Sequence, residues 1–296
     1  MPLNAERLRA WKFRDVRHAY GEKDTILYAL SVGLGEDPTD PRQLKFVFEK
    51  NLEALPTMPI VIGMTDLGFL TDPAIGIDLP RMLHGESGLT IHSSMPSSGE
   101  LISRMKIVDL VDKGSGKGAL LYFERSLRNA IDNRPVATEV GVFVLRGNGG
   151  YSPEIGQARP ARKLPERLPD QFCDIPTSTR AALLYRLNSD RNPLHVDPDI
   201  ARLAGFPRPI LHGSCAYGIA GHVMLRTLCG YDPAKLKRLN VRFTSPAFPG
   251  ETLRFEMWHE STCATSFRCK AVERDVVILD NGYAEYLPPR TIADQP

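Results

Sequence analysis

The sequence predicts an α+β fold in which two antiparallel sheets each curl around a central helix. Three observations carry that expectation. First, an order of landmarks occurs twice: Leu83-His84-Gly85 and then Ser98-Gly99-Glu100-Leu101 in the first half, Leu211-His212-Gly213 and then Pro249-Gly250-Glu251-Thr252-Leu253 in the second. Second, strand-like runs follow each pair of landmarks, short and bounded by Gly, Pro or Asp. Third, the stretch from Gly213 to about Leu228 is small or apolar on nearly every side, which is the pattern of a buried helix. A sheet laid over one swallowed helix, done twice, satisfies all three.

In chain order, the first-half strands are expected at 101–110, 119–123 and 139–145. The run Gly114-Ser115-Gly116-Lys117-Gly118 lacks the spacer and the Lys-Ser/Thr end of a phosphate loop and is flanked by strand signals, so it reads as a hairpin turn. From Gly147 to Thr179 the chain carries five prolines and four glycines and no sustained period, the composition of a linker. Second-half strands are expected at 239–244, 253–258, 266–272 and 276–279. The domains are thus 1–146, a linker at 147–179, and 180–296.

Composition bounds the function. A chain of 296 residues, 42% hydrophobic and 24% charged, is long enough to bury a sizeable core without staples. A net charge of +2, dispersed along the chain, argues against nucleic acid as a partner. The opening Met1–Lys12 puts charges where a signal peptide needs apolar residues, and no later run reaches the ~18 apolar residues of a membrane span, so a protein held inside a cell or organelle is expected. Cys173, Cys215, Cys229, Cys263 and Cys269 are odd in number and lack CxxC spacing, which reads as reduced thiols rather than disulfides or a thiolate metal site.

The most informative segment is 185–198. Asp190-Arg191-Asn192-Pro193 has the form of a turn with Asn192 as cap and Pro193 at a first helical position, and Asp197-Pro198 repeats the start signal before Ala204-Gly205-Phe206 closes the second short helix. Two adjacent helical turns therefore present Asp190 and His195 together, a carboxylate and an imidazole able to share one water as base and acid. Gly213 opens the buried helix, where the backbone N–H is unpaired and the helix dipole is positive. Such a donor stabilises the enolate oxygen that develops when a nucleophile adds to an α,β-unsaturated thioester.

The run from Asp190 to Pro198, continued by Ala204-Gly205-Phe206 and Pro209-Ile210-Leu211-His212-Gly213, resembles the signature of the hydratase 2 group of MaoC-like (R)-specific enoyl-CoA hydratases. Tyr28-Ala29-Leu30, Asp37-Pro38, Leu44-Lys45-Phe46-Val47, Leu55-Pro56-Thr57, Leu83-His84-Gly85-Glu86 and Asp112-Lys113-Gly114 resemble the non-catalytic repeat of the same group. The likeness covers nearly the whole chain outside the linker. It implies a double hotdog that adds water, syn and without a cofactor or metal, to trans-2-enoyl-CoA and runs in reverse as a dehydratase. By that resemblance Asp190 and His195 activate the water, Asn192 helps place it and Gly213 is the oxyanion donor. His84, Gly85, Lys113 and Phe243 fall where members line the acyl-CoA path, and the first repeat makes room for the acyl chain. A homodimer is implied, in the cytoplasm of a bacterium or the peroxisome of a eukaryote, although Ala293-Asp294-Gln295-Pro296 is not a Ser-Lys-Leu address. Asn188-Ser189 stands where the motif has a Ser-Gly pair, and Ser214-Cys215 where an apolar start is usual.

Three other readings remain open on the sequence. His195, Asp197 and His259 with Arg268 have the form of a 2-His-1-carboxylate iron site. A hotdog that binds acyl-CoA without turning it over keeps the same fold. A dehydratase of a branched or dicarboxylic hydroxyacyl thioester uses the same pair.

Overall fold

The computed structural model describes residues 3–63 and 67–288. The first half contains α1 (Ala5–Arg9), β1 (Val16–Tyr20), α2 (Glu22–Ser31), α3 (Pro41–Leu44), α4 (Gly68–Thr71), β2 (Met82–Ile91), β3 (Gly99–Asp112), β4 (Ala119–Asn129) and β5 (Pro135–Leu145). The second contains β6 (Gln171–Pro176), α5 (Ala181–Tyr185), α6 (Pro198–Leu203), α7 (Gly213–Thr227), β7 (Leu236–Phe243), β8 (Thr252–Ser261), β9 (Ala264–Ala271) and β10 (Val276–Tyr286). Among the described residues no helix is long and apolar enough to cross a membrane. The targeting reading of residues 293–296 lies outside the described residues.

The strands form one ten-stranded antiparallel sheet in the order β1-β3-β4-β5-β2-β7-β10-β9-β8-β6. Read outward from its centre, each half repeats the same order, which is the double hotdog the sequence predicts. The two predicted sheets join where β2 pairs with β7, from Glu86↔Arg242 to Thr90↔Arg238. All seven strand expectations fall inside observed strands or within one residue of their ends. The hairpin reading of 114–118 also holds. Lys113 N–H donates to Gly118 O at 3.0 Å, and Gly114, Gly116 and Gly118 take φ of +94°, +75° and +77°, which a side chain rarely tolerates.

Strands β1, β2 and β6 carry no clear sequence signal. β6 lies inside the Pro/Gly-rich stretch 147–179 and pairs with β8 at the sheet edge, where Pro176 costs no ladder bond. Earlier in that stretch the chain is pinned to both halves: the Arg159 guanidinium lies 4.2 Å from the ring centre of Tyr122 in β4, and that of Arg162 lies 3.9 Å from Tyr283 in β10. The expectation of a central helix in the first half is corrected. The landmark Leu83-His84-Gly85 lies in β2, with His84 opposite Phe143 and a register shift at Gly85, and no long helix accompanies it among the described residues. A Cβ at Gly85 would sit 2.7 Å from Val144 Cγ2, so the bulge and the close approach require glycine there. Three residues matching Leu211-His212-Gly213 do not fix a helix when the following Gly88-Leu89-Thr90-Ile91 can pair with β5.

In the second half Cys215 through Leu225 of α7 are buried without a break, as expected of a swallowed helix. Its glycines serve close packing: a Cβ at Gly218 would meet Val32 Cγ1 at 2.5 Å and the Tyr28 hydroxyl at 2.8 Å, and one at Gly221 would meet Thr57 Cγ2 at 2.5 Å. The first-half position corresponding to α7, just before β2, is filled by a turn at 58–60 and the four-residue α4. Buried Arg125 holds that turn: its Nη1 donates to Ile62 O and Gly63 O at 2.8 Å, its Nη2 to Pro59 O at 2.7 Å, and its Nε to Glu139 at 2.6 Å. One guanidinium thus satisfies carbonyls that a longer helix would pair internally.

Candidate active site

The chain between Tyr185 and α7 is built from caps. Asp190 Oδ1 accepts from Asn192 N–H at 3.2 Å and Asn192 Oδ1 from Leu194 N–H at 3.0 Å, with Pro193 opening a short 3-10 turn that ends at His195. Asp197 caps α6 by accepting from Asp199 N–H at 2.8 Å. These are the two adjacent turns the sequence predicts, and they deliver Asp190 and His195 to one place. Together with His212 their ligand atoms lie within 4.8 Å of one another.

His195 is 8% exposed, and its Nδ1 lies 2.9 Å from Ile210 O. A carbonyl only accepts, so Nδ1 carries the proton and Nε2 keeps a lone pair. Burial lowers the pKa of His195, opposed by the Ile210 carbonyl and the Asp190 carboxylate. The His212 ring stacks on it at 3.7 Å and 25°, and His212 Nε2–H donates to the Asp190 backbone carbonyl at 3.2 Å. Burial first, and then the neighbouring His195, lower the His212 pKa to about 4. Two neutral imidazoles are the consequence near neutral pH, each with one lone-pair nitrogen: Nε2 of His195, and Nδ1 of His212, which is buried without a partner.

Gly213 is the first residue of α7, and the first intrahelical bonds are those of Cys215 and Ala216 N–H to His212 O. The Gly213 N–H therefore precedes the helix ladder at its positive end. A Cβ at this position would lie 3.3 Å from Phe243 Cε1, so glycine lets the β7 phenyl ring lie against the helix start. That ring in turn lies 5.0 Å from His84, which also packs on Phe123 and Phe143 of the first half. Gly213, Phe243, His84 and Gly85 thus form a continuous wall across the β2–β7 seam.

Lys113 begins the β3–β4 turn, on a different element from this wall but at the same end of the sheet, since Ala119 and Met82 both face Leu145. Asn192 is exposed and its side-chain oxygen is used as a cap. The iron reading is overturned among the described residues. Asp197 spends its carboxylate on α6, His259 Nδ1 pairs with Thr265 Oγ1 at 3.2 Å, Arg268 binds Asp280, and the three-residue cluster that does form is Asp190, His195 and His212. In the sequence His212 stands out only as a landmark of the internal repeat. Its stacking and its bond to the Asp190 carbonyl make it the residue that joins the two catalytic candidates. The signal lay in its position as cap of a buried helix, where its burial follows.

The MFE-2 hydratase 2 N-terminal domain family matches residues 18–147 and the MaoC like domain family residues 160–281. "Enoyl-CoA hydratase 2, peroxisomal" of Arabidopsis thaliana is 38% identical over 96% of this chain and 95% of its own length. "3-Hydroxyacyl-thioester dehydratase Y" of Mycobacterium tuberculosis is 37% identical over 90% of this chain and 92% of its own. The crystal structure of a MaoC-like dehydratase from Phytophthora capsici superposes with a TM-score of 0.84 at 30% identity, covering 97% of this chain and 100% of that one. With its two halves matched in order and full-length relatives well above 30% identity, the chain belongs to the MaoC-like enoyl-CoA hydratase 2 family.

Proposed function

We propose that this protein hydrates trans-2-enoyl-CoA to (3R)-3-hydroxyacyl-CoA, reversibly, in fatty acid metabolism. The observation that carries the reading is the meeting of the Asp190 carboxylate and the His195 imidazole beside the first amide of α7. Asp190 holds a water molecule, and the free Nε2 of His195 accepts its proton as the oxygen bonds to C3. The Gly213 N–H receives the charge that moves onto the thioester oxygen. The imidazolium, stabilised by the neighbouring Asp190 carboxylate, then returns the proton to C2 on the same face, giving syn addition. Atoms balance: one water enters, its hydroxyl ends on C3 and its proton on C2.

In this reading Asn192 helps place the water, while His84, Gly85, Lys113 and Phe243 line the acyl-CoA path. Residues 1–146 accommodate the acyl chain, 180–296 carry catalysis, and two chains pair as a homodimer. The compartment follows the source, cytoplasm in a bacterium and peroxisome in a eukaryote. The reverse reaction on a related hydroxyacyl thioester is the second reading, supported by the name of the mycobacterial relative. Loss of enoyl-thioester absorbance with crotonyl-CoA and longer enoyl-CoAs, followed by chiral analysis of the product, tests the proposal. An (S)-product, or no turnover at any chain length, would overturn it.

A further inference from the structure

Asp190 sits on a turn whose preceding residue, Ser189, has φ +85°, in the left-handed region that a residue with a Cβ rarely adopts. Something must hold that turn. Asn188, 8% exposed, donates from Nδ2 to Ser31 Oγ at 3.0 Å and to Tyr185 O at 3.1 Å. Ser31 Oγ–H itself donates to Tyr28 O at 2.7 Å, so its proton is used and a lone pair faces Asn188. Ser31 ends α2, in the half that lacks the catalytic pair.

The same end of α2 receives α7. Cys215 Sγ–H donates to Ser31 O at 3.4 Å, His222 Nδ1–H to Val32 O at 3.2 Å, and Gly218 packs on Val32 and Tyr28. The last turn of a helix leaves carbonyls without internal partners, and here side chains of the other half take them. Both the turn bearing Asp190 and the helix bearing the Gly213 amide are therefore docked on one terminus of the non-catalytic half.

We propose that Ser31 is a positioning residue for hydration: acting through Asn188, it holds the 188–190 turn and so sets the Asp190 carboxylate against His195. The proposal rests on the assignment of Asp190 to the reaction. A misplaced catalytic group lowers turnover more than ground-state binding.

The test compares Ser31→Ala, Asn188→Ala, the double variant, Ser31→Thr and Asp190→Asn in the full chain, measuring kcat and KM with crotonyl-CoA and thermal midpoints. Each alanine variant is expected to lose about tenfold or more in kcat with KM within about twofold of the parent. The double variant should be no worse in kcat than the more damaged single, because the Ser31–Asn188 hydrogen bond is lost in each single variant already. Ser31→Thr, which keeps the hydroxyl, should recover most of the kcat. If Asp190→Asn remains fully active, the assignment of Asp190 itself fails. If Asp190→Asn is inactive while the alanine variants keep kcat within about twofold, or their losses multiply, the anchor is overturned and the site stands. Should Ser31→Ala not fold, Asn188→Ala, which leaves α2 intact, decides the matter.

Discussion

The two halves share one strand order, yet they fill the space before the fifth strand from each edge, β2 or β7, differently. In the second half α7 occupies it with eleven consecutive residues, 215–225, buried. In the first half a short turn and α4 occupy it, and the Arg125–Glu139 pair, 4% and 7% exposed at the side chains, takes over the backbone hydrogen bonds. In the proposed reaction the long helix brings an N-terminal amide to Asp190 and His195, and the second half stabilises the charge. In the same proposal the first half keeps the sheet, lacks that amide, and offers instead the α2 terminus on which the 188–190 turn and α7 are docked. A repeated fold can thus divide its work when only one copy needs the helix.

The sharpest way to break this comparison is to remove the chemistry from the second half alone. Asp190→Asn and His195→Ala are each expected to lower kcat by ~10²–10⁴, the range for a positioned acid or base, while thermal midpoints stay near the parent value. Retention of activity in either would dissolve the functional difference between the halves. The next largest effect belongs to the first half and concerns folding. Arg125→Met leaves Glu139 buried without its partner and the 59–63 carbonyls without donors, and should destabilise by ~3–5 kcal/mol in urea unfolding. At low temperature the folded fraction of that variant should keep its kcat, since Arg125 touches none of the residues at 190–213.

Much of this division was legible in the sequence, for identifiable reasons. The strands announced themselves by short runs between turn residues, and α7 by the small residues that let it pack on α2 and Thr57. Asn192-Pro193 and Asp197-Pro198 were readable because caps are local chemistry: each side chain bonds an amide two residues on. What stayed hidden was non-local. Nothing in Leu83-His84-Gly85 says that its partner is β5 rather than its own next turn, and β6 is a strand only because β8 is there to pair with it. His212 is a landmark of the repeat in the sequence, and only the folded chain stacks its ring on His195. Arg125 carried no motif, since its partners at 59–63 lie some sixty residues away.

Where the halves meet, Gly218→Ala sharpens the comparison further. The added methyl would fall 2.5 Å from Val32 and 2.8 Å from the Tyr28 hydroxyl, and both neighbours are fully buried. Overpacking of this kind costs ~1–3 kcal/mol. Because α2 also holds Asn188, a shift of α2 away from α7 should lower kcat along with the unfolding midpoint. Gly230→Ala makes the control: its φ is +59°, but a Cβ there meets nothing within 4 Å, so any stability it loses to backbone strain should leave kcat alone.

The smallest effect near neutrality, and the one that weighs the halves by titration, comes from the buried imidazoles of α7 and its cap. His212 and His222 both have pKa values lowered to about 4, burial being the first cause in each. In the unfolded chain they titrate near 6.5. As pH falls through the window between those values the unfolded state takes up protons that the folded state refuses, so stability declines from about pH 6.5 toward pH 4 and is flat above it. Replacing His222, which the reaction does not use, with Gln should reduce that decline, read as a smaller difference between urea midpoints at pH 7.5 and pH 5. Activity has a separate acid limb. His195 must be neutral to accept a proton, and its pKa is lowered, so kcat/KM should hold constant below pH 7 and fall only under the usual imidazole range. An acid limb for kcat/KM lying above pH 7 would mean that burial does not govern His195, and the base would have to be sought elsewhere.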